Sequence, residues 1–112
     1  RDGPARFHVT LFDPHTGAMS ALLEADLLGQ FRTGAASGVA TKKLARADAS
    51  TVGLFGTGKQ ARTQLLAVCK SKPIKKAHVF GRDAERRKAF AAQLAQETGV
   101  EVVPVERPEE AA

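Results

Sequence analysis

Thr51-Val52-Gly53-Leu54-Phe55-Gly56-Thr57-Gly58-Lys59-Gln60-Ala61 decides the fold. Thr51 to Phe55 is a short apolar run, suited to a strand buried in a parallel sheet. Gly56-Thr57-Gly58 turns the chain, and Lys59 to Lys72 follows as a helix with Ala61, Leu65, Val68 and Cys69 on one face. Gly56 to Ala61 fits G-x-G-x-x-A, a permitted form of the dinucleotide fingerprint. Each small residue has a physical task there. Gly56 permits the tight turn, Gly58 lets a pyrophosphate approach the backbone, and Ala61 lets helix and strand pack closely. The unpaired N–H groups of the helix start, with Thr57, Lys59 and Gln60 in the turn, complete an anion cradle. A tight turn without a ligand is the plainer reading. The flanking strand–turn–helix–strand pattern is the context that favours the fingerprint.

Downstream, Ala77 to Phe80 reads as a second strand and Gly81-Arg82-Asp83 as a turn, with Asp83 placed to cap a helix over Ala84 to Thr98. Phe90 and Leu94 face inward on that helix, and Gly99 is a natural C-terminal stop. Val100 to Val105 is a third strand, interrupted by Pro104, and Pro108-Glu109-Glu110 can open a further helix. Upstream, Arg6 to Phe12 and Ala18 to Leu23 alternate as strands around the turn Asp13-Pro14-His15-Thr16-Gly17, which predicts a β-hairpin. Between hairpin and fingerprint lies a stretch rich in small residues (Gly34, Ala35, Ala36, Ser37, Gly38, Ala40), with its clearest helical signal at Thr41 to Arg46. Small residues on a helix admit a second backbone or a ligand at close range. The fold expected is α/β: a Rossmann-like β-α-β-α-β half preceded by a β-hairpin and a connecting helix.

The end of the second strand bears on cofactor choice. NAD sites place an acid there for the ribose hydroxyls. This chain has Gly81 and Arg82 instead, with Arg86 and Arg87 one turn further on. A guanidinium pairs bidentately with a 2′-phosphate, so the reading is NADP(H) through Arg82. NAD(H) is the alternative, with Asp83 supplying the ribose contact and Arg82 merely solvated.

Composition narrows the classes. The chain has 112 residues, enough for one compact domain and too few for a two-domain enzyme. No apolar run is long enough to span a bilayer, and Arg1-Asp2-Gly3-Pro4 shows no signal-peptide pattern. A net charge of +5 permits nucleic-acid binding, but the cations are scattered and Trp and Tyr are absent. Lys70, Lys72, Lys75 and Lys76 read as a solvated loop. The single cysteine, Cys69, excludes an internal disulfide, so a reducing, cytoplasmic setting is expected and the thiol reads as inert core. His8, His15 and His78 have no ligand clustered with them, so no metal site is expected, and neither Ser37 nor Ser50 has a local base.

Phe12-Asp13-Pro14-His15-Thr16-Gly17, Phe31-Arg32-Thr33-Gly34-Ala35-Ala36-Ser37, Ala40-Thr41-Lys42-Lys43-Leu44-Ala45-Arg46 and the fingerprint occur in the order seen in the ornithine cyclodeaminase / mu-crystallin family, which the chain resembles over nearly its whole length. The resemblance implies NAD(P) binding and action on small amino or imino acids: ornithine cyclodeaminase, alanine dehydrogenase or ketimine reductase chemistry, in a homodimer. It implies that Arg32 contacts the substrate carboxylate, with a structural arginine as the alternative. Arg32 precedes the small-residue run, so its fork and a helix N-terminus are expected to face one anion together. The family's substrate-domain lysine and catalytic aspartate have no counterpart here. The chain therefore reads as an internal fragment or degenerate relative, without turnover alone: residues 1–30 a remnant of the substrate and dimerisation domain, 31–50 a connecting helix, 51–112 a partial nucleotide domain. A non-catalytic dinucleotide-binding module is the competing reading.

Overall fold

A computed structural model describes residues 6–112. Residues 1–5 of the expected 1–30 segment lie outside the described residues. Strands β1 (His8–Phe12) and β2 (Met19–Glu24) are followed by helix α1 (Asp26–Leu44), then β3 (Thr51–Phe55), α2 (Lys59–Ser71), β4 (Lys76–Phe80), α3 (Ala84–Thr98) and β5 (Glu101–Val105). A 3-10 turn at Pro108–Ala111 follows β5, shorter than the helix anticipated there. Strands β3, β4 and β5 form a parallel sheet in that order, and β1 and β2 an antiparallel pair. The α/β class and the β-α-β-α-β half are as the sequence indicates. No described helix is long and apolar enough to cross a membrane.

The core follows from the strand pleat. On the central strand β4, Ala77 and Val79 are fully buried and alternate with half-buried Lys76, His78 and Phe80. Leu65 of α2 and Phe90 and Leu94 of α3 close over Ala77 and Val79. Gly53 of β3 points to the opposite face, where the carbonyl of buried Ala111 occupies the space of a Cβ. The 3-10 turn thus lies flat on the sheet because Gly53 has no side chain. Pro104 does not interrupt β5; it keeps register opposite Val79. β5 pairs only with β4 among the described residues, and an edge strand tolerates a missing N–H.

Helix α1 starts earlier than its sequence signal. Its first turn carries Asp26, and no side chain caps it. Instead Ala25 N–H donates to the Phe7 carbonyl at 2.7 Å, so the residue just before β1 tethers the helix start. Gln30, Gly34 and Gly38, one helical face at four-residue spacing, are buried. A Cβ on Gly34 would lie 2.5 Å from the Thr63 carbonyl oxygen, and one on Gly38 would lie 2.9 Å from Ser71 Oγ and 3.1 Å from Ala67 Cβ. The small residues therefore admit a second backbone, that of α2. Lys59 pairs with Asp26 at 3.0 Å at one end of this seam. Lys72 Nζ donates to the Ala45 and Arg46 carbonyls at the other. The two helices run parallel, N-terminus beside N-terminus.

The hairpin turn is an Asx turn. Asp13 Oδ1 accepts from the N–H groups of His15 and Thr16 at 2.9 and 2.8 Å, and Gly17 takes φ +70°. The hydrogen bonds from the Thr16 and His15 backbone hold the Asp13 carboxyl below the usual carboxylate range. Phe12, Met19 and Leu22 remain exposed on the strands.

Two expectations follow. Gly29 on the same helix has open space around it, so Gly29→Ala should stabilise the fold by up to about 1 kcal/mol, whereas Gly34→Ala should destabilise it by about 1–3 kcal/mol through overpacking. Urea melts of both variants decide this, and the reverse order would refute the seam. Second, a depressed carboxyl favours the folded turn above its ordinary pKa of about 4, and that contribution is lost as pH falls through the lower folded value. The Thr16 amide shift should therefore titrate with a midpoint below about 4 in NMR, and the step should vanish in Asp13→Ala.

Candidate functional site

The C-terminal ends of β3 and β4 lie side by side, where ligands of open α/β sheets bind. Gly56 leaves β3 at φ +106°, a region closed to other residues, and its N–H donates to the Phe80 carbonyl at 2.8 Å. Gly58 is the extended N-cap of α2, with no capping side chain. A Cβ at Gly56 or Gly58 would meet nothing within 4 Å. The turn thus presents bare backbone and the first-turn N–H groups of α2 to open space, which suits a phosphate cradle.

The end of β4 is fastened to this turn. A Cβ on Gly81 would lie 2.8 Å from Thr57 Cγ2, so only glycine lets the two loops touch. Arg86 Nε donates to the Thr57 carbonyl at 3.2 Å, and Arg87 Nη1 to the Gly81 carbonyl at 2.7 Å. Between the loops lies a cleft of about 500 Å³. Gly56, Thr57, Gly58, Arg82 and Asp83 line it, together with Arg86. Arg82 has no salt-bridge partner among the described residues. Asp83 is committed to the fold: its carboxylate accepts the Arg86 N–H at 2.9 Å and caps α3.

Arg32 lies elsewhere. A second pocket of about 370 Å³ sits between the hairpin and the start of α1, and Arg32 lines it together with His8, Asp26, Thr33 and Gln60. Arg32 does not precede the helix, as the small-residue run implied, because α1 begins at Asp26 and Arg32 falls in its second turn. The α1 N-terminus already carries Asp26, which accepts from Gln30 Nε2 and pairs with Lys59. Lys59 and Gln60, adjacent in sequence, therefore part company on α2. Lys59 reaches to Asp26, and Gln60 lines the Arg32 pocket rather than the glycine cleft. The sequence reading passed over Gly81 as a contact to the glycine turn and Asp26 as the partner of Lys59. An acid opening an apolar periodic run was the available signal for Asp26.

Elsewhere, Cys69 is half-buried against the core, and burial pushes its thiol up, so it resists ionisation. No group of metal-ligating side chains occurs among the described residues.

Residues 4–112 match the sequence profile of the ornithine cyclodeaminase/mu-crystallin family. The chain is 44% identical over 91 residues to a delta(1)-pyrroline-2-carboxylate reductase of Bacillus cereus, covering 81% of this chain and 28% of that protein. The Thermococcus litoralis delta(1)-pyrroline-2-carboxylate reductase, solved in complex with NADH and L-proline, superposes with a TM-score of 0.87 at 48% identity, over 91% of this chain and 32% of its own. An archaeal alanine dehydrogenase dimer with bound NAD superposes with a TM-score of 0.87 at 31% identity, over 95% of this chain and 32% of its own. The chain spans about a third of the length of these relatives.

Asp83 gives a direct check on the geometry. Asp83→Ala should lower stability by about 1 kcal/mol through loss of the cap, and Asp83→Asn should retain most of it. Equal stability of all three proteins in thermal melts would show that the cap is not formed.

Proposed function

This chain belongs to the ornithine cyclodeaminase/mu-crystallin family, and on that premise we propose that it supplies the dinucleotide site and the substrate-carboxylate arginine of an NADP-dependent amino- or imino-acid oxidoreductase or cyclodeaminase. The observation that carries the reading is the glycine cleft. Bare backbone at Gly56 and Gly58 shares it with Arg82, which lacks an acidic partner among the described residues.

The residues divide the work by chemistry. The α2 start and the Gly56–Thr57–Gly58 backbone hold the pyrophosphate, as N–H groups and the helix dipole favour an anion there. Arg82 takes the ribose 2′-phosphate, leaving Asp83 to its cap. Arg32 takes the carboxylate of the amino or imino acid in the adjacent pocket, with Gln60 on its wall as a neutral hydrogen-bonding group. Lys59 acts indirectly by holding α1 against α2. When bound, the nicotinamide supplies hydride exchange with the substrate carbon. The two solved relatives carry NADH or NAD, so the preference for NADP is a reading of this chain's own residues.

In the whole protein, residues 1–30 belong to a substrate and dimerisation domain, 31–50 to the connection and 51–112 to the nucleotide domain. A homodimer through the first of these accords with the exposed Phe12, Met19 and Leu22 of the hairpin and with the dimeric alanine dehydrogenase relative.

Titrations with NADPH and NADH, followed by nicotinamide fluorescence, test the reading. NADPH should bind tighter by about tenfold or more, and Arg82→Ala should remove the difference. Tighter binding of NADH, insensitive to Arg82→Ala, would move the ribose contact to Asp83 and end the NADP assignment.

A further inference from the structure

One buried charge has no role in the scheme above. Arg87 sits on the inward face of α3 beside Phe90, Ala91 and Leu94 and is 7% exposed. Its Nη1 donates to the Gly81 carbonyl at 2.7 Å. Its Nε is shut off from solvent with no hydrogen-bond partner. No carboxylate lies within salt-bridge range of it among the described residues. A guanidinium is in effect a permanent cation, so it cannot escape burial by losing its proton. Burying a cation without an anion is costly, and an apolar side chain of similar size would pack there at lower cost.

The location of the charge suggests what offsets that cost. Arg87 does not line the glycine cleft; it stands behind the wall that does. Its one acceptor is the carbonyl of the residue that precedes Arg82. Gly81 is held from both sides, by Arg87 and by contact with Thr57 of the glycine turn. A fixed charge in a low-dielectric setting acts on the cleft more strongly than a solvated one.

We propose that Arg87 is a positioning residue for cofactor choice: by holding Gly81 and placing a buried positive charge behind Arg82, it biases the cleft toward a dianionic phosphate ester on the adenosine ribose. This rests on the NADP reading of Arg82. Nε has no acceptor and no carboxylate pairs with the guanidinium among the described residues, so a phosphate on the cofactor supplies the nearby anion that the fold does not, and the cost in stability and the gain in selectivity have one origin.

The test measures dissociation constants for NADPH and NADH, with ligand-free thermal melts, on the full chain and on Arg87→Met, Arg87→Lys and Arg82→Ala. Arg87→Met should reduce the NADPH-over-NADH preference about tenfold while leaving the ligand-free melting temperature unchanged or raised. Arg87→Lys, which keeps the charge, should retain most of the preference and covers the case in which Arg87→Met fails to fold. Equal loss of affinity for both cofactors in Arg87→Met, or equal loss of preference in the Lys and Met variants, would overturn the proposal. A preference intact in Arg87→Met but abolished in Arg82→Ala would overturn it and leave the NADP reading standing. A parent protein that prefers NADH would remove the NADP reading and this inference with it.

Discussion

The close parallel contact of α1 with α2 is the constraint on which the rest of the arrangement depends. It exists because Gly34 and Gly38 present no side chains to Thr63 and Ala67. Helix α1 is a poor helix on intrinsic grounds, with Gly29, Gly34 and Gly38 in its interior and no capping side chain. Tertiary packing sustains it, as is usual for helices in folded chains. Parallel packing has a consequence that antiparallel packing would lack. It brings the first turns of both helices to the same end of the molecule, so Arg32 and Gln60 line one pocket. The Lys59–Asp26 pair contributes little energy at its exposure, but it marks the register of the seam.

A second set of contacts joins the ends of β3 and β4. The Gly56 N–H bonds Phe80, Gly81 presses on Thr57, and Arg86 bonds the Thr57 carbonyl. One is a backbone pair, one sets a glycine against a threonine methyl, and one fixes a carbonyl with an arginine side chain. The cleft is thus shaped before any ligand enters, and little ordering entropy is left to lose on binding. The same logic explains why its residues are small. Side chains at Gly56 or Gly58 would fill the space the backbone holds open.

The β-α-β-α-β half was legible because its signals are local. Val52, Leu54 and Phe55 mark β3 as a strand, Gly99 stops α3 in a left-handed conformation, and Asp83 caps α3 through its own side chain. Strand β3 is nonetheless not the buried strand its apolar run predicts, since it pairs only with β4 among the described residues and Phe55 stays exposed. The start of α1 was not legible, because a single residue, Ala25, joins it to β2 and its tether comes from the distant Phe7 carbonyl, just ahead of β1. Pro104 looked like a break because nothing local says that β5 is an edge strand. At the site, the glycine turn announces itself in sequence, whereas the separation of Lys59 from Gln60 does not. Neighbours on a helix point about 100° apart, and only the position of α1 decides what each one meets. Arg87 is the sharper case: three arginines in six residues look alike in sequence, and burial alone sets this one apart.

Acid placement completes the electrostatic picture. Asp83 is the one acid on the cleft wall among the described residues, and it and two acids further off are each engaged by other groups. Asp83 accepts the Arg86 N–H, Asp26 holds Lys59, and Glu97 holds Arg62 at 2.9 Å. Hydrogen bonds from Arg62 and Gln93 keep the Glu97 carboxyl below its ordinary range, so it stays ionised and bound to its partners. Arg82 and Arg87 have no such partner among the described residues. A net charge of +5 scattered over a chain says little by itself. The same charge matters when local acids are occupied elsewhere and the leftover cations stand at one end of a concave site, since a cleft with low-dielectric walls concentrates the field. At this cleft Asp83 caps α3 from the cleft wall, and the Arg82 guanidinium beside it is left without a salt bridge among the described residues.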